Sequence, residues 1–264
     1  MNQNAANELK QTVQEGRPVF GVNLLSRSPV IIEALGTTDI DFLWIDLEHT
    51  GPSPYDSPAL ERLVRAAEIA GIELLVRIPS TDPKMINAVL DTGVRNVLLS
   101  RVEDPSDVKT AIRGSMFASD GPADNHRGIP LARSTGWQGP TPELLEHADE
   151  NVFIGIMIET VKAVEQIDEL LSIDDLGFVF WGPGDLSVAA GHPLDTTHQE
   201  IQAHLETVRT RALESGVPIG RIRSSTEEIQ RDIEDGFTIL RVATDAAVLT
   251  NEVKGKLRAI GSDG

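Results

Sequence analysis

The chain has 264 residues, with 41 Asp plus Glu against 23 Lys plus Arg and no cysteine, for a formal charge of -18. That surplus of acid repels phosphodiester backbones and anionic lipid, so nucleic acid and membrane surfaces are excluded as partners. Without cysteine there is no disulfide framework, thiolate zinc site or thiol nucleophile. Seventeen arginines against six lysines, with acids spread along the chain, suit a halophilic setting where salt screens self-repulsion. The first residues lack a basic segment followed by an apolar core, and no apolar run approaches the roughly 18 residues a membrane span needs, so a cytoplasmic protein is expected.

In chain order, a helix is expected over residues 5–15. Eight short runs rich in Val, Ile, Leu and Phe follow, at 19–25, 42–47, 73–78, 96–99, 152–158, 177–181, 218–222 and 237–242, each read as a strand. The segments between them carry helical spacing, as in Leu60, Leu63, Val64 and Ala67, or Met85, Ile86, Val89 and Leu90. A capping residue before proline marks helix starts at Ser28-Pro29, Ser57-Pro58, Asp82-Pro83, Asp104-Pro105 and Thr141-Pro142. Gly71, Gly93, Gly216 and Gly236 close helices or turn into the next strand. Strand and helix alternate throughout with no Gly-x-Gly-x-x-Gly turn, which predicts an α/β protein with one domain over residues 1–264, a single (β/α)8 TIM barrel. The Gly-, Pro- and Asp-rich stretch 114–140 before strand five is too long for a connector and reads as a functional loop or an oligomer contact.

In such a barrel the chemistry sits at the carboxyl ends of the strands. Those ends carry Asp46-Leu47-Glu48-His49, Arg77, Ser100-Arg101, Glu159-Thr160 and Gly182-Pro183-Gly184-Asp185, with Arg221, Arg223 and Asp245 on the last two strands. Glu159 ends a long apolar run, where an unpartnered carboxylate is costly to bury. Two readings stand: Glu159 and Asp185 converge on one cation, or Glu159 pairs with an arginine while Asp185 caps the next helix. Two carboxylates with open positions suit Mg2+ or Mn2+, with Co2+ or Zn2+ as further candidates. His49 is the natural acid-base group and Arg77 the natural anion binder, the alternative for His49 being a satisfied structural histidine. Of the six lysines, Lys162 alone comes near a strand end, so metal chemistry is favoured over a Schiff base.

These residues resemble the HpcH/HpaI family of metal-dependent class II pyruvate aldolases, typified by 2,4-dihydroxyhept-2-ene-1,7-dioate aldolase. The likeness is carried by residues 42–49 (FLWIDLEH), Val76-Arg77 followed by Asp91, residues 156–160 (IMIET) and residues 182–187 (GPGDLS). It implies reversible cleavage of a 2-keto-3-deoxy or 4-hydroxy-2-oxo acid to pyruvate and an aldehyde through a metal-bound pyruvate enolate, in a homo-oligomer, a hexamer. It further implies that Glu159 and Asp185 hold the ion, that Gly184 binds the substrate carboxylate, that His49 takes the proton, that Asp91 raises its basicity and that Arg77 stabilises the enolate. The residues alone favour a simpler reading of Asp91, a helix-terminal acid unrelated to His49. Met157 stands where the family usually has a substrate-touching glutamine, Leu47 replaces a glycine, and Arg101 replaces an apolar residue. Arg101 therefore reads either as a contact to a distal substrate anion or as a surface salt bridge. His126-Arg127-Gly128 is similar to an Arg-Gly segment of the family. The rival functions are an acyl-CoA or citrate lyase of the wider superfamily and a catalytically silent barrel with a binding role.

Overall fold

The computed structural model describes residues 6–117, 127–137 and 139–261. After α1 (Glu8–Gln14) come β1 (Val19–Asn23), α2 (Pro29–Leu35), β2 (Phe42–Asp46), α3 (Ser57–Ala70), β3 (Glu73–Ile78), α4 (Pro83–Asp91), β4 (Asn96–Leu99) and α5 (Pro105–Gly114). A 3-10 turn (Arg133–Thr135) and α6 (Pro142–Asn151) precede β5 (Phe153–Ile158), α7 (Val161–Glu165), α8 (Ile167–Leu171), β6 (Phe178–Trp181), α9 (Pro183–Ala189) and α10 (Gln199–Ser215). The chain ends with β7 (Ile219–Ile222), α11 (Thr226–Glu234), β8 (Ile239–Thr244) and α12 (Asp245–Ala259). All eight strands are parallel and β8 closes on β1, as the alternation predicted.

Four of the five proline signals open a helix at the expected residue, three of them with a side-chain cap. Asp82, Asp104 and Thr141 accept from the amides of Lys84, Ser106 and Leu144, and Pro29 opens α2, although Ser28 makes no side-chain cap bond. The fifth is displaced by one residue: Asp56, not Ser57, caps α3 by accepting from the Ala59 amide. β8 begins and ends two residues later than its apolar run, because Phe237 belongs to the turn from α11.

Alternation along each strand divides the side chains between two cores. Leu43, Ile45, Val76 and Val97 face the helices, while Phe42, Trp44, Leu75, Leu98, Phe178 and Phe180 fill the barrel. Aromatic rings in so narrow an interior need vacant neighbours. A Cβ on Gly21 would lie 2.2 Å from the Phe42 ring, and one on Gly155 2.4 Å from the Phe178 ring, so those strands carry glycine. Leu9 and Val13 of α1 join the interior cluster and close the amino end. The closure is fixed by Asn7, whose Nδ2 donates to Asn96 Oδ1 (2.7 Å) and to the Asn151 carbonyl (2.8 Å).

The insertion before β5 is anchored by Arg127, buried and paired with Asp91. His126 lies outside the described residues. α12 departs from the pattern, for it buries no residue and leaves Val248, Leu249, Val253 and Leu257 exposed, as is Ile260 just past its end. Among the described residues, no helix is long and apolar enough to cross a membrane.

Candidate active site

The same alternation that sends Phe42 and Trp44 inward sends Asp46 inward at the end of β2, and Arg77 lies beside it in the register of β3. Asp46 grips that guanidinium with both oxygens, one bond being Arg77 Nε to Oδ1 at 3.1 Å and the other joining Nη2 to Oδ2. Asp46 Oδ1 also accepts from the backbone amides of Glu48 (2.9 Å) and His49 (3.2 Å), so one buried carboxylate shapes the turn that carries both side chains. Burial pushes the Asp46 carboxyl up, but the bonds and charge of Arg77, with the two amides, leave it below the usual carboxylate range. Glu48 lies 3.2 Å from Arg77 Nη1 and 3.6 Å from His49 Nε2, and its Oε2 is buried without a hydrogen bond among the described residues. The His49 imidazole is half exposed, reaching into the mouth.

Glu159, the residue after β5, is 3% exposed. Its Oε1 accepts from the Arg101 backbone amide at 2.6 Å. That amide is aimed by a left-handed turn at Arg101 (φ 54°), an uncommon conformation for a side chain-bearing residue. Gly182 at the end of β6 leaves room for the carboxylate, since a Cβ there would lie 2.8 Å from Glu159 Cβ and 3.3 Å from its Oε2. Burial first, then the charges of Glu48 and Asp185, push the Glu159 carboxyl up to about 7 against the Arg101 amide and Arg77. The second of the two readings is not met: the hydrogen bond to Glu159 comes from a backbone amide, and the residue capping α9 is Gly182, with Asp185 exposed in its first turn. The space beside Gly184 is open, with no atom within 4 Å of a Cβ built there.

A divalent ion fits this donor set. Arg77 pairs with Asp46 and lies 3.2 Å from Glu48, so one cation faces two acids there, while Glu159 and Asp185 bring further hard oxygen donors to the same end of the barrel. A raised carboxyl pKa also fixes a sign. Folding takes up a proton between the ordinary Glu value of 4.5 and about 7, so without metal the protein loses stability as pH rises through that window, by about 3 kcal/mol from this group. Divalent ion competes with that proton, so thermal melts should show Mg2+ or Mn2+ stabilising strongly above pH 7 and progressively less below it.

The sequence places Asp46 and Glu48 at a strand end without giving either a role, and it does not single out Arg241. Arg241 on β8 points into the barrel over the Trp44 ring at 5.3 Å, with Arg77 5.8 Å from the same ring. Burial and the charge of Arg77 pull Arg241 down to about 10, and its Nε is buried without a hydrogen-bond partner among the described residues. Period-two alternation from Trp44 and Ile239 was the signal available for Asp46 and Arg241. Met157 faces the interior, its Sδ 3.8 Å from Arg77 Nη1. Leu47 is buried in the outer core, its Cδ2 2.5 Å from where a Cβ on Gly51 would lie. Arg101 presents an exposed side chain.

Within this chain Asp91 does not stand beside His49. α4 runs from the carboxyl ends of the strands back to the amino ends, so its last residue lies at the far end of the barrel from His49. There Asp91 Oδ1 accepts from Arg127 Nη2 (2.6 Å) and Nε (3.2 Å). Arg221 and Arg223 are also drawn away from the mouth, both bonding Asp232 on α11, and Asp245 accepts from the Leu25 and Ser26 amides. Clefts of about 540 and about 700 Å3 open among the helix-to-strand turns at the amino end, away from the acid and histidine groups of the mouth.

The family model for HpcH/HpaI aldolase/citrate lyase matches residues 20–252. A hydroxypyruvate/pyruvate aldolase from Paraburkholderia phytofirmans is 26% identical over 258 residues, covering 97% of this chain and 98% of that one. A 5-keto-4-deoxy-D-glucarate aldolase from Salmonella arizonae is 27% identical over 221 residues, 84% of each chain. Among solved structures, an HpcH/HpaI aldolase/citrate lyase family protein from Burkholderia cenocepacia superposes with a TM-score of 0.88 at 27% identity, covering 97% of this chain and 99% of that one. Barrel, strand-end residues and likeness over nearly the whole length agree: the chain belongs to the HpcH/HpaI aldolase/citrate lyase family.

Proposed function

We propose that the protein is a divalent-metal-dependent lyase, an aldolase that reversibly cleaves a 4-hydroxy-2-oxo or 2-keto-3-deoxy acid to pyruvate and an aldehyde. The observation that carries this reading is Glu159, a buried carboxylate hydrogen-bonded to a backbone amide, with the charges of Glu48 and Asp185 bearing on it. Glu159 and Asp185 would hold the ion, which when bound supplies Lewis-acid polarisation of the substrate keto group.

The chain's own residues supply the rest. The open backbone at Gly184 receives the substrate carboxylate. Arg77, locked by Asp46, donates to the oxygen on which negative charge develops as the C3–C4 bond breaks, with no reorganisation needed at that moment. His49, at the rim, accepts the C4 hydroxyl proton, and the C3–C4 electron pair passes to the three-carbon fragment, which is protonated to pyruvate. Met157 and Arg77 border the substrate from the barrel floor, and the exposed Arg101 side chain reads an anionic group at the distal end of the substrate.

The test is pyruvate release from a panel of 4-hydroxy-2-oxo acids of increasing length, with and without Mg2+ or Mn2+. Metal-dependent release supports the assignment. Release from none of them, with turnover of an acyl-CoA thioester instead, moves the protein to the citrate-lyase branch.

The bare apolar face of α12 supports a homo-oligomer, since an eighth barrel helix that buries nothing leaves four large aliphatic residues exposed. Light scattering should give a multiple of the chain mass, six-fold by family resemblance. The double substitution Leu249→Arg and Leu257→Arg should lower that mass.

A further inference from the structure

Three of the six histidines, His192, His198 and His204, fall within thirteen residues, in the loop after α9 and the first turns of α10, while the other three stand apart at 49, 126 and 147.

 Glu200 stands among them. Ligand atoms of His192, His198 and Glu200 lie within 4.8 Å of one another. His192 Nε2 is 2.8 Å from Glu200 Oε2, and the His192 and His198 rings stack with centroids 3.4 Å apart. His198 uses Nδ1 to accept from the Glu200 amide (3.3 Å), which leaves its Nε2 available. His204 Nε2, one turn further along α10, is 3.8 Å from Glu200 Oε1 and is buried without a hydrogen-bond partner among the described residues.

We propose that His192, His198 and Glu200, with His204 beside them, form a separate site for a late first-row divalent ion of the Zn2+ or Co2+ kind. Imidazole with one carboxylate is the donor set such ions prefer, whereas Mg2+ prefers oxygen and keeps its water. Donors around a tetrahedral ion stand about 3.3 Å apart at metal–nitrogen distances of about 2.0–2.1 Å. The group closes to that spacing by rotation of side chains that are only partly buried. The ion takes the place of the proton shared by His192 and Glu200.

The site would also brace the mouth. The His192 amide donates to the Ser187 carbonyl (2.7 Å), while Ser187 Oγ donates to the Gly184 carbonyl (2.7 Å) and accepts from the Leu194 amide (3.2 Å). The loop that carries the histidines is thereby tied to the turn bearing Gly184 and Asp185. The inference does not depend on the proposed reaction, because its ligands are other residues.

The experiment is titration of the full chain with Co2+ in excess Mg2+, in a Glu159→Gln, Asp185→Asn background that removes the carboxylate pair of the mouth. Calorimetry gives the stoichiometry, and the visible spectrum reports imidazole ligation. One Co2+ per chain is expected, with affinity at least about 100-fold weaker after His192→Ala with His198→Ala. Glu200→Gln, which keeps both rings, should weaken binding by about 10-fold or more. No bound equivalent in this background, or one whose affinity is unchanged by both sets of substitutions, overturns the proposal.

Discussion

Glu159→Gln should abolish metal-dependent cleavage, lowering kcat/KM by about 1,000-fold or more at Mg2+ concentrations that saturate the parent protein. The size follows from losing a Lewis acid worth several kcal/mol, at about 1.4 kcal/mol for each factor of ten. The same substitution should make the metal-free protein more stable above pH 7. It removes a carboxylate that burial and two neighbouring acids hold up to about 7 in the folded state. Opposite signs for activity and stability separate this account from misfolding, in which both would fall. Thermal melts in chelator beside steady-state kinetics in Mg2+ provide the comparison, and a fall in both would contradict it.

Arg77→Met should be damaging in both respects. Two buried carboxylates, Asp46 and Glu48, lose their cation, and breaking a buried pair by removing one partner costs about 3–5 kcal/mol. Because Arg77 holds the Asp46 carboxyl below its ordinary value, that stabilisation is present above the unfolded value of 3.8 and is lost as pH falls through the folded one. The deficit of the variant, measured by denaturant unfolding, should therefore be largest near neutrality and shrink below about pH 4. In kinetics, loss of a pre-oriented donor to developing charge should lower kcat by about 100- to 1,000-fold, with Arg77→Lys recovering part of it. A change confined to KM would place Arg77 in ground-state binding alone.

Most of the barrel was legible because each strand buries both faces and so appears as a short apolar run, and because proline and aspartate mark the helix starts. Strand ends were less sharp: Phe237 is as apolar as a strand residue but serves the turn before β8. At the site, Glu159, Asp185, His49 and Arg77 were visible as polar residues following apolar runs. Arg241 was harder, since it lies inside β8 and only inward alternation distinguishes it. Arg221 obeys the same strand-end rule yet faces outward to Asp232, a difference of one residue in phase. Asp91 shows where the family pattern exceeds what one chain can deliver, for the helix that carries it leads away from His49. The partner of Arg127 in that position depends on how the insertion packs, and no local pattern encodes it. The exposure of α12 is equally silent in the sequence, where its aliphatic residues read as an ordinary core-facing stripe.

The central claim is that the mouth of this barrel stabilises a deprotonated keto acid with the help of a divalent ion, and it is tested without knowing the aldehyde. Pyruvate is incubated with the protein in D2O with Mg2+, and deuterium in its methyl group is followed by mass spectrometry. The account predicts protein-dependent exchange that stops on addition of chelator and is absent in Glu159→Gln. Failure of exchange with Mg2+ present, or exchange that continues undiminished in chelator, would contradict it.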